Sequence, residues 1–121
     1  ILGILGIACE PQGKDFSPLL HSEPFEGYRS IITYGFPNTK ERISGFLENG
    51  KNPLDYGWRS LVTKEYKFVM FKGYSYGEEC RTFLYDKQNM LFEKVSDNHT
   101  AKEELSLEMR DWCEKLGDGF L

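Results

Sequence analysis

The stretch Gly57-Trp-Arg-Ser-Leu-Val-Thr-Lys-Glu-Tyr-Lys-Phe-Val-Met-Phe71 constrains this chain more than any other part of it. From Tyr66 onward its residues alternate: Tyr66, Phe68 and Met70 fall on one face of an extended segment, and Lys67, Val69 and Phe71 on the other. A period of two belongs to a β-strand, whereas a helix would scatter the same side chains around its axis. The polar pair Lys64-Glu65 separates this run from the β-prone segment before it, as a tight hairpin turn would. Strands are therefore expected at about 58–63 and 66–72, with another at about 81–86 carrying Phe83-Leu-Tyr-Asp86. Upstream, Tyr28-Arg-Ser-Ile-Ile-Thr-Tyr34 is also β-rich, and Gly35 and Pro37 end it. Met90 to Val95 reads as a further short strand or an extended segment. Aromatic residues make up 15% of the chain and gather in its middle, which favours packed antiparallel strands over a helical bundle.

The last element has helical spacing. Leu105, Met109, Trp112 and Leu116 recur at helical intervals, Thr100-Ala-Lys-Glu103 has the form of a capping box, and Gly117 suits a left-handed stop. The expected fold is α+β: an antiparallel sheet of about four strands with a C-terminal helix packed across one face. Between the first strand and the hairpin, 38–56 is a polar excursion. Within it, Arg42-Ile-Ser-Gly-Phe-Leu-Glu48 is compatible with one helical turn or a short extra strand. Cys9 to Leu20, punctuated by Pro11, Gly13 and Pro18, reads as a loop.

A chain of 121 residues holds one core at most. Its net charge of -4 and isoelectric point near 5.2 argue against a nonspecific nucleic-acid binder, which needs a basic surface. The opening run Ile1-Leu-Gly-Ile-Leu-Gly-Ile-Ala-Cys9 is apolar but too short to span a bilayer, so no membrane span is expected. It is read as the end of a helix that starts earlier in a longer polypeptide. Cys9, Cys80 and Cys113 lack zinc-ligand spacing, which leaves one bridge with one free thiol, or three thiols. His21 and His99 are the only imidazoles, too few for a nucleophile–base arrangement to be argued. Asn98-His-Thr100 matches an N-glycosylation sequon.

Several of these segments, taken in order, resemble the C-terminal region of sulfatases in the alkaline-phosphatase-like superfamily. The residues that carry the resemblance are Leu5-Gly-Ile7, Gly13-Lys-Asp-Phe-Ser-Pro-Leu-Leu20, the Arg59-x-x-x-Thr63-x-x-Tyr66-Lys67 hairpin, Leu84-Tyr-Asp86, and a final helix with Trp112 and a Gly117-Asp118 tail. Departures occur at Leu61-Val62-Thr63, where the family often has Val-Arg-Thr, and after Asp86, where only Glu93 of the usual pattern is kept. The resemblance implies a division at residue 20: 1–20 would be the tail end of a catalytic domain, and 21–121 the smaller C-terminal subdomain. It implies that the parent is a sulfuric ester hydrolase working with calcium and a formylglycine made within Cys/Ser-x-Pro/Ala-x-Arg. None of the three cysteines here lies in that motif, so neither cofactor nor catalytic residue is expected in this chain, and alone it should be inactive.

The partner implied is the N-terminal catalytic domain of the same polypeptide, and the substrate a sulfated compound such as a carbohydrate. An extracytoplasmic location (periplasmic, secreted or lysosomal) is what family habit implies. Lys40, Arg42, Trp58 and Arg59 are the candidate substrate-binding residues, since cations suit an anionic sugar and an indole suits a sugar ring. Two rival readings are a stand-alone binding or immunity-like module and a lipoprotein-type surface module anchored through Cys9.

Overall fold

Five antiparallel strands run in sequence order across one sheet in the computed structural model, which describes residues 14, 16–88 and 91–121. The strands are β1 (Ile31–Gly35), β2 (Gly57–Val62), β3 (Tyr66–Gly73), β4 (Arg81–Gln88) and β5 (Leu91–Val95). Two helices, α1 (Lys40–Glu48) and α2 (His99–Leu116), and short 3-10 turns at Ser17–His21 and Pro53–Asp55 complete the elements among the described residues. This is the α+β fold expected from the alternation, with the short segment after residue 90 forming a fifth strand. The candidate helix end at 1–9, Cys9 and Met90 lie outside the described residues.

Register follows from the central hairpin. Leu61 pairs with Phe68 and Ser60 with Val69 across β2 and β3, and Phe68 pairs with Leu84 across β3 and β4. The turn at 63–66 is closed by Thr63, whose Oγ1 accepts from the backbone N–H of Tyr66 at 2.9 Å and of Glu65 at 3.2 Å. Alternation then sorts the sheet into two faces. Ile32, Arg59, Leu61, Tyr66, Phe68, Met70 and Leu84 share one, and α2 lies on it. Leu61, Phe68, Leu84, Leu105, Met109, Cys113 and Phe120 form the buried core there, with Trp112 packed against its edge.

The buried stripe of α2 is Ala101, Leu105, Met109 and Cys113, four residues spaced by four, and Leu116 lies exposed. The helix also starts earlier than the apparent capping box suggests. Asn98 is the N-cap: its Oδ1 accepts from the Ala101 N–H at 3.0 Å, and its Nδ2 donates to the Tyr66 hydroxyl at 3.1 Å. Asparagine caps as well as serine or threonine, and here its second bond ties the helix start to β3. Gly117 takes the left-handed stop at φ 64°, and the Asp118 N–H closes back on the Cys113 carbonyl at 2.8 Å. Trp112 Nε1 donates to Ser30 Oγ, which in turn donates to Glu108, so the segment entering β1 is tied to α2.

In 38–56, the helical alternative is the one adopted. Thr39 caps α1 by accepting from the Arg42 N–H, and Phe46 is buried against Tyr56, with ring centroids 4.3 Å apart. Asn98→Ala should lower the unfolding free energy by about 1–2 kcal/mol in urea titrations, whereas Thr100→Ala should change it by less than about 0.5 kcal/mol.

Candidate functional site

The strand face opposite α2 carries Trp58, Ser60 and Val62 from β2, Lys67, Val69 and Phe71 from β3, and Arg81, Phe83 and Tyr85 from β4. Neither helix is laid across it: α2 takes the other face, and α1 meets the sheet at the end bearing Tyr56, Tyr74 and Tyr76. The result is a shallow groove of about 280 Å³ lined by Trp58, Lys67, Val69, Phe71, Phe83 and Tyr85. All of these are half-buried, and Phe83 and Tyr85 stack along β4 with centroids 6.3 Å apart. Beneath them Ser60 is fully buried, and its Oγ is without a hydrogen-bond partner.

At one end of this face the indole of Trp58 lies across Gly35 of β1, where any side chain would overlap the ring. Its Nε1 donates to the Tyr74 hydroxyl at 2.6 Å, and the Arg42 guanidinium stands 5.1 Å from the centre of the Tyr74 ring. Phe71 meets Tyr74 edge-on at 5.6 Å. Arg42 of α1 and Trp58 of β2, sixteen residues apart, are thus joined through a tyrosine of the β3–β4 loop. Lys40, in the first turn of α1, is exposed. Tyr74, which links two of the candidate binding residues, is not itself among the candidates read from the sequence.

Arg59 is different. It is fully buried on the α2 face, and its five N–H groups are engaged inside the protein. Nε and Nη2 donate to the two carboxylate oxygens of Asp118 at 2.6 and 2.8 Å, and the remaining bonds go to the carbonyls of Leu54, Tyr56 and Trp58. The rings of Phe120 and Phe36 flank the guanidinium at 4.4 and 4.7 Å. Lys72 donates to the Phe120 carbonyl at 2.5 Å, so two cations hold the last residues of the chain against the sheet. This geometry leaves Arg59 no donor for a ligand and makes it a structural residue.

A cleft of about 500 Å³ lies elsewhere, between the 25–29 loop, the hairpin turn and the start of α2. Its charged rim mixes Glu26, Arg29, Lys64, Glu65 and Glu104. Neither a formylglycine nor a calcium site fits the described residues. Cys80 is an exposed free thiol outside any Cys-x-Pro/Ala-x-Arg motif, and Cys113 is a free thiol buried in the core. Burial, reinforced by the Asp118 charge, pushes the Cys113 thiol above its ordinary pKa. Among the described residues no three His, Cys, Asp or Glu side chains gather as a metal site, and no helix is long and apolar enough to cross a membrane. In the sequon, the Asn98 amide is already engaged as the α2 cap and as the donor to Tyr66. Compared with models of protein families and with curated proteins, the chain matches none.

The hydrogen bonds from Arg59 hold the Asp118 carboxyl below the usual carboxylate range, working against partial burial, with the Arg59 charge, the Phe120 N–H and the Lys72 charge adding to the effect. A folded-state pKa below the unfolded one stabilises the fold fully above about pH 3.9, and that stabilisation is lost as pH falls through the lower folded value. Denaturant titrations from pH 7 to pH 2 should therefore show stability falling below about pH 4, while Asp118→Asn, less stable at pH 7, should show a shallower fall.

Proposed function

We propose that the chain is the C-terminal lobe of a sulfatase, a sulfuric ester hydrolase, and that the Arg42–Tyr74–Trp58 edge forms part of the wall that receives the alcohol portion of the ester. The observation that carries this reading is where the residues of the resemblance fall in the fold. Arg59 pairs with Asp118 of the Gly-Asp tail, Thr63 closes the hairpin turn, Tyr66 receives the cap of α2, and Leu84 fills the core under it. Residues that recur together at fixed spacing because they are joints of one architecture should interlock in this way, and these do. Catalysis would belong to the rest of the parent polypeptide, with its calcium and formylglycine.

Within this lobe, an indole and a tyrosine supply flat apolar surface for a sugar ring, and Arg42, stacked on Tyr74, supplies a cation for a sulfate or carboxylate. Lys40 adds a second positive charge on the same helix. Arg59 contributes only by holding β2 in place. The uncovered aromatic face is also what a stand-alone binding module would present, and this observation favours that second reading.

The polypeptide carrying this chain should contain Cys/Ser-x-Pro/Ala-x-Arg upstream and should hydrolyse a sulfate ester. In that enzyme, Arg42→Ala or Trp58→Ala should raise KM about tenfold with kcat changed less than about twofold, as expected for contacts made equally in ground and transition states. Steady-state kinetics on the natural ester checks this, and wild-type values in both variants would remove the substrate-wall assignment.

A further inference from the structure

β1 is an edge strand without the usual guards. Among the described strands it pairs with β2 alone. Edge strands are kept from adding a neighbour by a lysine, a proline, a bulge or an inward-pointing charge. Ile31-Ile-Thr-Tyr-Gly35 carries neither charge nor proline, and its register with β2 is unbroken over all five residues. The backbone groups that point away from β2 meet no backbone partner among the described residues. Its side chains are open on both faces: Ile31 is 57% exposed opposite α2, and Tyr34 is 59% exposed on the α2 side. Unpaired backbone groups beside an exposed isoleucine and tyrosine are a template for one more strand.

The same residues select which strand. Antiparallel pairing about a two-fold axis at Thr33 keeps all five residues in the ladder and sets Thr33 against Thr33, Ile32 against Tyr34 and Ile31 against Gly35. Residues directly opposite share a face, so each pair has to fit. On the α2 face a β-branched side chain meets an aromatic one, and at the axis two threonines meet, both favourable cross-strand pairs. At Gly35 there is no side chain, and the Trp58 indole lies across it, so Ile31 of the second copy comes against that ring. Charge agrees with the antiparallel sense. The Arg29 side chain, 81% exposed just before the strand, would stand at opposite ends of the pair, whereas parallel pairing would set two arginines side by side. We propose that β1 pairs with β1 of a second copy of this chain, antiparallel about Thr33, joining two sheets into one. This pairing stands apart from the sulfatase reading. Five residues span about 17 Å and bury less than the roughly 800 Å² per partner of a stable complex, so the association is weak.

Cysteine trapping reads the register in the intact polypeptide, with the exposed Cys80 replaced by serine. Thr33→Cys places two Cβ atoms about 5 Å apart across the axis, close to disulfide reach. Ile31→Cys, exposed on the same face, sets its two copies about 14 Å apart, beyond any bridge. Under limiting oxidant, Thr33→Cys should give at least about fivefold more disulfide-linked dimer than Ile31→Cys. In sedimentation runs the average mass of the wild-type protein should rise between about 10 µM and about 1 mM. Thr33→Lys and Thr33→Glu, at an exposed position, should each abolish that rise by setting like charges face to face, and an equimolar mixture of the two should restore it. A mass that stays monomeric throughout, equal trapping at 31 and 33, or no recovery in the mixture would overturn the pairing.

Discussion

A guanidinium in the apolar layer of this fold decides where the segment after α2 can lie. Arg59 occupies an inward position of β2 that it shares with Leu61, and a charge there is tolerated only if it is paired and fully hydrogen-bonded. Asp118 supplies the pair, the carbonyls of residues 54, 56 and 58 take the remaining donors, and Phe36 and Phe120 close over the two sides. Two segments distant in sequence are drawn to one point: β2 with the turn before it, and residues 117–121. The same Asp118 carboxylate accepts from the Phe120 N–H at 3.1 Å, so the pair also seats Phe120.

The same arrangement divides the molecule's work. One sheet face, with α2 and the C-terminal tail upon it, is saturated with contacts. The other has its aromatic side chains half-buried. An antiparallel sheet can leave one face to water when that face is polar. Here its centre, from Trp58 to Tyr85, is aromatic. Arg42, Tyr74 and Trp58 stand where that surface meets the loop end of the sheet, so their orientation depends on both.

Much of this was legible in the residues. The alternation through Tyr66–Phe71 gave the central hairpin, both faces of β3 and the helix-on-sheet architecture, because a period of two has one structural meaning over that length. Helix boundaries were less legible. Thr100 and Glu103 have the form of a capping box, but Asn98 is an equally good cap and gains a bond to Tyr66 that only the folded sheet provides. Leu116 fits a helical stripe, yet the register of α2 on the sheet is set by Ala101 and Cys113, and the stripe turns away before Leu116 is reached. Lys40 to Glu48 is polar enough that local pattern left its state open, and burial of Phe46 against Tyr56 decides for a helix.

Of the four candidate binding residues, sequence chemistry marks all of them alike, since nothing in a lone arginine says which way it points. Parity in β2 does carry that signal: Arg59 falls with Leu61 on the α2 face, whereas Trp58 falls with Val69 and Phe71 on the open one. A double-mutant cycle on Arg59→Met and Asp118→Leu, followed by chemical denaturation at neutral pH, tests the claim on which the architecture rests. Each single change should cost about 3–5 kcal/mol by stranding a buried charge, and the double variant should recover enough of that loss to give a coupling of at least about 2 kcal/mol. Additive effects would show that the tail is held by apolar contact alone, and would contradict the account.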